Sequence, residues 1–377
     1  MDSATALTGD TSTTTEAVRV PRDRLSGRRT LLLLHRWLSL AVAAFWLLQA
    51  ITGLLLSFHW EIDDALISTA QRPTDLAALE RRMAALAPTG GEAKINFIWT
   101  TAGLPDRYVV NMTTASGVRR LVKIDGGGDI LRDNPAKAPG FLWFMRDLHI
   151  NLAMGRTGAW ILGISGALLM SNLVMGLVVA WPKRGWWKQA LAPTRKGPLT
   201  ARLYAWHRAI GLWAILPAFV IVGTGTLMLF EHGLRDALGV EEVELPPNPA
   251  MTDQIGLPAA IRAASAAMPG GAWVGTTLPG EADASYHVWL RIPGDLYRGY
   301  GSSLVVVDAN DGKIRHAHPI TDGGAAERFV GALYPVHSGE AGGLAGRLLT
   351  MSLGLWLAAI TIMGLWLWLR RRPKTRR

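Results

Sequence analysis

Residues 31–40 read LLLLHRWLSL and residues 203–213 read LYAWHRAIGLW. Both place a His-Arg pair, His35-Arg36 and His207-Arg208, near the opening of a long apolar run. A helix needs about 20 apolar residues to cross the hydrocarbon core of a bilayer. Four segments are long enough: 31–58, 158–181, 205–230 and 347–369. Trp60, Trp181, Trp186 and Trp187 lie at or just beyond their ends, as expected for headgroup-level aromatics. The composition agrees: the chain of 377 residues is 49% hydrophobic with 16 Trp, a profile rare in a soluble domain of this size.

The net charge of +10 is a topology signal. Arg19, Arg22, Arg24, Arg28 and Arg29 precede the first span. Lys183, Arg184, Lys188, Arg195, Lys196 and Arg202 lie between the second and third, where no acid occurs, and Arg370, Arg371, Arg372, Lys374, Arg376 and Arg377 follow the fourth. In a four-span chain these three segments share one side, and the positive-inside rule makes it the cytoplasm. The basic residues thus argue for a multi-pass membrane protein with both termini cytoplasmic, and leave no nucleic-acid partner to invoke. With no cysteine, disulfides, thiolate metal sites and covalently attached c-type haem are excluded.

The chain repeats itself at long period. LHRWLSLAVAAFWLLQAITGLLLSFHWEIDDAL resembles WHRAIGLWAILPAFVIVGTGTLMLFEHGLRDAL, pairing His35 with His207 and His59 with His232. LHINLAMGRTGAWIL resembles VHSGEAGGLAGRLLT, pairing His149 with His337. Each half begins on the same side, so these are parallel repeats about a pseudo-two-fold axis along the membrane normal. Between the spans lie a helical stretch, DLAALERRMAALA or TDQIGLPAAIRAASAAM, and period-two stretches: AKINFIWT, RYVVNM and VRRLVKID, then AWVGTTL, YHVWLRI and SLVVVDANDGKI. The expected fold is an α-helical membrane protein of four transmembrane helices in two parallel pseudo-repeats, plus two small α+β periplasmic modules. The organisation reads as a disordered tail (1–30), span one (31–58), first module (59–148), outer helix and span two (149–181), basic loop (182–204), span three (205–230), second module (231–336), outer segment and span four (337–369), and basic tail (370–377).

The second module, with a helix ending near Met-Pro-Gly-Gly and a closing V-D-x-x-x-G-K-I, resembles the PepSY domain; the first, ending VKIDGGGDIL with a Gly-rich turn, departs from that pattern. The HRW and HRA span starts and the LH-x-x-L-x-x-G-x-x-G approach resemble the PepSY-associated transmembrane family, over about residues 30 to 370. That resemblance implies a bacterial inner-membrane protein linked to iron and siderophore uptake, similar to haem-containing ferric-siderophore reductases.

The histidines carry the chemistry. An ionisable residue in a span is costly and is a functional candidate by default, and neutral imidazole is the usual axial ligand of haem iron. His35 and His207 sit near the inner ends of their spans, while His149 and His337 sit on the outer side. A bilayer thickness of about 30 Å forbids mixed pairs. The expectation is two b-type haems, one on His35 and His207, the other on His149 and His337, with Arg36 and Arg208 pairing to propionates of the inner one. Gly155, Gly158, Gly163, Gly166, Gly339, Gly342, Gly343 and Gly346 either admit a flat macrocycle or serve helix packing. Arg146 and Asp147 are candidates to orient the outer site, His59 and His232 to supplement it, and His287, His316 and His318 to hold a metal. No nucleotide-binding G-x-G-x-x-G or Walker motif occurs. Electrons would therefore come from a separate donor, a soluble reductase or quinol, and pass to a periplasmic ferric siderophore or other ferric chelate. Two alternatives remain at this stage: an iron, haem or siderophore permease without redox activity, and a membrane-anchored regulatory scaffold.

Overall fold

The computed structural model describes residues 23–88, 90–135, 140–240, 251–280, 283–297 and 299–370. Residues 1–22 and 371–377, the greater part of the two tails, lie outside the described residues; the helix of span one begins within the segment read as tail.

The helices are α1 (Asp23–Leu56), α2 (His59–Ile67), α3 (Leu76–Leu86), α4 (Phe141–Asn151), α5 (Gly155–Ala180), α6 (Trp187–Leu191), α7 (Leu199–Leu229), α8 (Glu231–Leu238), α9 (Leu257–Ala267), α10 (Ala325–Ser338) and α11 (Gly343–Leu369). Four of them, α1, α5, α7 and α11, are long and apolar enough to cross a membrane. A helix satisfies its own backbone, which hydrocarbon requires. Polar residues inside these spans follow suit: the hydroxyls of Ser39, Ser171 and Thr226 bond the carbonyl four residues back. α1 packs on α5 and α11, and so does α7, which leaves α1 and α7 diagonal across the bundle.

Each of the second and fourth long helices is preceded by a short helix and a sharp corner. Leu152 and Ala153 turn the chain between α4 and α5 in the left-handed region (φ 56° and 55°). Gly339 does so after α10 (φ 81°). Gly155 and Gly343, equivalent in the alignment of His149 with His337, open α5 and α11 at φ 58° and 57°. This region favours glycine, which has no Cβ to clash.

The strands are β1 (Lys94–Thr100), β2 (Arg107–Thr113), β3 (Arg119–Asp125), β4 (Ile130–Pro135), β5 (Ala272–Thr277), β6 (Ser285–Arg291), β7 (Ser303–Asp308) and β8 (Ile314–His318). They form one sheet in the order β4-β3-β2-β1-β5-β6-β7-β8, every pair antiparallel. The two modules read from the sequence are therefore one eight-stranded sheet. The join is β1 on β5, with Phe97 opposite Thr277, Ile98 opposite Thr276 and Trp99 opposite Gly275. Each four-stranded half alone would expose an unpaired inner edge, a costly and aggregation-prone feature; pairing the two edges removes it. The first module also closes in a hairpin, β3–β4, across its Gly-rich turn, as the second does with β7–β8.

The core of this unit lies on one sheet face under α3 and α9, where Leu79, Met83, Ile261 and Ala264 meet Ile98, Val110, Val122, Val288 and Val305. Lys123 alternates to the other face and anchors α2: its Nζ donates to Asp63 (2.5 Å) and Asp64 (2.7 Å), while Arg132 holds Asp63 from the neighbouring strand (2.7 Å). A buried charge set of this kind costs desolvation and persists only when fully partnered. It fixes where the sheet sits on the end of α1.

Candidate functional site: two facing histidine pairs

At the sheet end of the bundle, α4 packs on α1 and α5, and α10 packs on α7 and α11. They bring His149 and His337 face to face, with ring centres 6.2 Å apart and planes inclined by 36°. One metal ion bound to two imidazole nitrogens at about 2 Å would separate the ring centres by about 6.3 Å. The spacing is thus that of a shared ion.

Proton bookkeeping settles which nitrogen is free. Thr52 spends its only hydroxyl hydrogen on the Leu48 carbonyl (2.7 Å), so its oxygen accepts from His149 Nδ1–H (2.9 Å). His337 Nδ1–H donates to the Ile221 carbonyl (2.8 Å). Both Nε2 atoms are left as unprotonated lone pairs, the ligand form. Burial, and after it the neighbouring His337, pushes His149 down to about 3; burial also lowers His337. Both rings stay neutral at physiological pH. The cavity they border has a volume of about 790 Å³, within the range of roughly 300–1,000 Å³ that holds organic ligands.

At the far end, His35 on α1 and His207 on α7 border a second cavity, of about 190 Å³. That volume is below the same range, so a macrocycle there needs its lining side chains to part. The donor set fits. His35 Nδ1–H donates to the Asn172 carbonyl (3.1 Å), Asn172 Nδ2 to Ser39 (2.9 Å), and Ser39 to the His35 carbonyl (2.6 Å), tying α1 to α5. The Ile360 carbonyl stands beside His207 in the equivalent place, though His207 Nδ1 is buried outside hydrogen-bond geometry. Asn172 Oδ1, Trp46 Nε1, Arg36 Nε and Arg208 Nε are also buried without a partner, and all four residues border this cavity. Buried polar atoms are nearly always satisfied; such a cluster of orphans marks a place for a ligand. Arg208 keeps one bond, Nη2 to the Gln189 carbonyl (3.2 Å), and the Arg36 guanidinium lies 5.0 Å over Trp37.

A glycine faces the Cε1 edge of each histidine. A Cβ added at Gly225 would lie 2.5 Å from His337, at Gly53 3.0 Å from His149, at Gly176 3.1 Å from His35 and at Gly364 3.5 Å from His207. These four were missed in the sequence, although a signal existed: Gly53 and Gly225 share the 172-residue offset of His35 and His207, and Gly176 and Gly364 the 188-residue offset of His149 and His337. Of the glycines singled out instead, Gly155, Gly342 and Gly343 have open space where a Cβ would stand, and the others meet protein; Gly155 and Gly166 border the sheet-end cavity. Gly158 lies against the Asn151 carbonyl, Gly163 against Phe230, Gly166 against Thr226, and Gly339 against Gly346.

The remaining histidines separate. His59 borders the sheet-end cavity, its Nδ1–H bonded to the Leu56 carbonyl (2.5 Å) and its Nε2 buried without a partner. Its alignment partner His232 is exposed on α8 and does not border that cavity. His287 Nε2–H donates to Asp283 (2.6 Å) and His318 Nε2–H to Glu327 (2.7 Å), and the rings of His316 and His318 stack 6.0 Å apart. Among the described residues no group of three or more His, Cys, Asp or Glu is arranged to hold a metal ion. Arg146 borders the sheet-end cavity, while Asp147 is occupied with Asn151 (2.8 Å).

No curated protein matches the chain. Residues 32–371, which include nearly all of the four apolar helices and the whole sheet, match the PepSY-associated TM region, and the chain is therefore a membrane protein of that family.

Proposed function

We propose that this protein is a di-haem inner-membrane reductase that delivers electrons to periplasmic ferric iron, held as a ferric siderophore or a similar chelate. One observation carries the reading: two pairs of histidines, each pair bordering one cavity, occupy two depths of one bundle. His35 and Thr52, which holds His149, are separated along α1 by about 25 Å of helical rise. The halves read as parallel pseudo-repeats, because the order of long helix, short helices, four strands, short helix and long helix occurs twice. The basic loop around α6 supports a cytoplasmic far end and a periplasmic sheet.

Bound b-type haems would supply one-electron carriers at the two depths. The protein's part is ligation by four neutral imidazoles, charge compensation of inner propionates by Arg36 and Arg208, and exclusion of water by the apolar helices. With no nucleotide motif, the donor is a separate soluble reductase or membrane quinol. Reduction suits release, because hard oxygen donors hold the ferrous ion more weakly than the ferric one.

The test is an absorption spectrum of the purified protein, oxidised and dithionite-reduced, with a haem count. A low-spin b-type spectrum with two haems per chain is expected. A colourless protein from haem-replete cells would overturn the reading and favour a permease.

Removing the acceptor of His149 gives a finer result. Outer-shell partners of metal-bound histidine are worth about 10–100-fold in affinity. Thr52→Val is therefore expected to speed loss of the outer haem by about that factor while sparing the inner one, as read by transfer to an excess haem scavenger.

A further inference from the structure

Arg146 lies on α4 three residues before His149, so both side chains project from one face of that helix. It borders the sheet-end cavity, and its guanidinium stands 5.5 Å from the Trp143 ring. No carboxylate pairs with it among the described residues. Of the other cations among the described residues of this cavity, Arg156 is exposed, and Arg347 is fully occupied: its guanidinium holds Glu61 through two bonds (2.6 and 2.8 Å) and the Ser57 carbonyl (2.7 Å). An arginine stays charged in any protein environment, and a cation turned into a largely apolar cavity is unfavourable without a counter-charge.

Among the described residues, three phenols share this lining with one carboxylate, Glu340, which acts with Arg146 on all three. Tyr297, Tyr300 and Tyr334 border the same cavity, in mutual ring contact at 5.5 Å (Tyr297 with Tyr300) and 4.7 Å (Tyr297 with Tyr334). The hydroxyls of Tyr297 and Tyr300 make no hydrogen bond among the described residues. Burial pushes Tyr334 up to about 12 and raises the other two, so all three keep their protons and can donate. The buried, unpartnered Nε2 of His59, whose Nδ1 carries the proton, borders the same cavity as an acceptor.

We propose that Arg146, flanked by Tyr297 and Tyr300, is an anion site that receives a carboxylate in the roof of the outer cavity. Two sources present this group: a propionate of the bound tetrapyrrole, which rests on the proposed function, or a carboxylate of the ferric chelate, which does not require it. Arg146 would be the outer counterpart of Arg36 and Arg208, with no relation to them in the sequence alignment.

The experiment compares wild type, Arg146→Leu and Arg146→Lys, each the full chain made in haem-depleted cells and loaded with haem or its dimethyl ester. Ferric citrate binding is measured on the loaded and unloaded proteins. A charge-assisted bond implies an effect of about ten- to hundredfold. Retention is read at the outer site alone, since Arg36 and Arg208 serve the inner propionates: if propionate is the source, the ester leaves the outer site of the wild type that much faster than haem does. Arg146→Leu then abolishes the difference and lowers the outer midpoint potential, and Arg146→Lys restores part of both. If the chelate is the source, esterification changes nothing, and Arg146→Leu weakens ferric citrate by a similar factor. Equal ester and haem retention together with equal citrate affinity in all three proteins overturns the site. A protein that takes up no haem overturns the proposed function alone, since citrate binding to the unloaded chain still decides the anion site. Should Arg146→Leu fail to fold, the ester comparison in wild type and the Arg146→Lys measurements decide the matter.

Discussion

His149→Ala and His337→Ala are each expected to eliminate one of the two proposed haems per chain and leave the other spectroscopically intact, while His35→Ala and His207→Ala are expected to eliminate the opposite one. This selectivity follows from depth. The two cavities share only wall residues such as Trp356 and Leu357, and no histidine borders both. A bis-imidazole site that loses one ligand keeps a single bond and becomes high-spin or empties, so the expected effect on each count is near complete. The measurement is the haem count together with the reduced low-spin band for each variant. His59→Ala is the control at the outer site. Its Nε2 faces the same cavity, but the 6.2 Å spacing of His149 and His337 already accounts for one ion, so the count should remain at two. Loss of both haems from a single substitution, or loss of one from His59→Ala, would contradict the pairing by depth.

The pairs themselves were legible because two alignments, at offsets of 172 and 188 residues, bring histidine onto histidine. The same offsets relate the backbone acceptors: Gln49 beside His149 corresponds to Ile221 beside His337, and Asn172 beside His35 to Ile360 beside His207. Carbonyls carry no side-chain signature, so this layer is invisible without coordinates. Alignment also misled. His232 stands one residue out of the 172-residue register from His59, at an offset of 173, and projects from the amphipathic helix α8 into the open. The strands followed their period-two patterns, except that ILRDNP, which forms β4, carries too little alternation to be read as one. The seam of β1 with β5 joins segments far apart in the chain. Its only local mark is Gly275, where a Cβ would strike the Trp99 indole, and one glycine in a strand does not name its neighbour.

Alanine at the four histidine-facing glycines is expected to disturb the proposed haem sites in the order of ring clearance. In a helix interior Gly→Ala is worth up to about 1 kcal/mol of added helix stability. On helix propensity alone, all four substitutions would therefore be neutral or stabilising. Ring clearance orders them differently. At Gly225 the new methyl would stand 2.5 Å from Cε1 and 2.7 Å from Nδ1 of His337. That ring cannot yield freely, since Nδ1 is bonded to Ile221 (2.8 Å) on the same helix α7 as the glycine, and α10 is packed on that helix. Gly225→Ala must push the imidazole out of line with His149, and the expected result is loss of most of the outer haem with the inner one retained. Gly53→Ala (3.0 Å from His149) and Gly176→Ala (3.1 Å from His35) ask for a shift of a few tenths of an ångström, and should loosen the outer and the inner haem respectively without abolishing either. Gly364→Ala, at an ordinary 3.5 Å from His207, should keep both and gain the helix-propensity term. Haem content, reduced spectra and thermal unfolding of the four variants read the order directly. Retention of both haems by Gly225→Ala would mean that His337 is not confined by α7 and that its ligating orientation is set elsewhere.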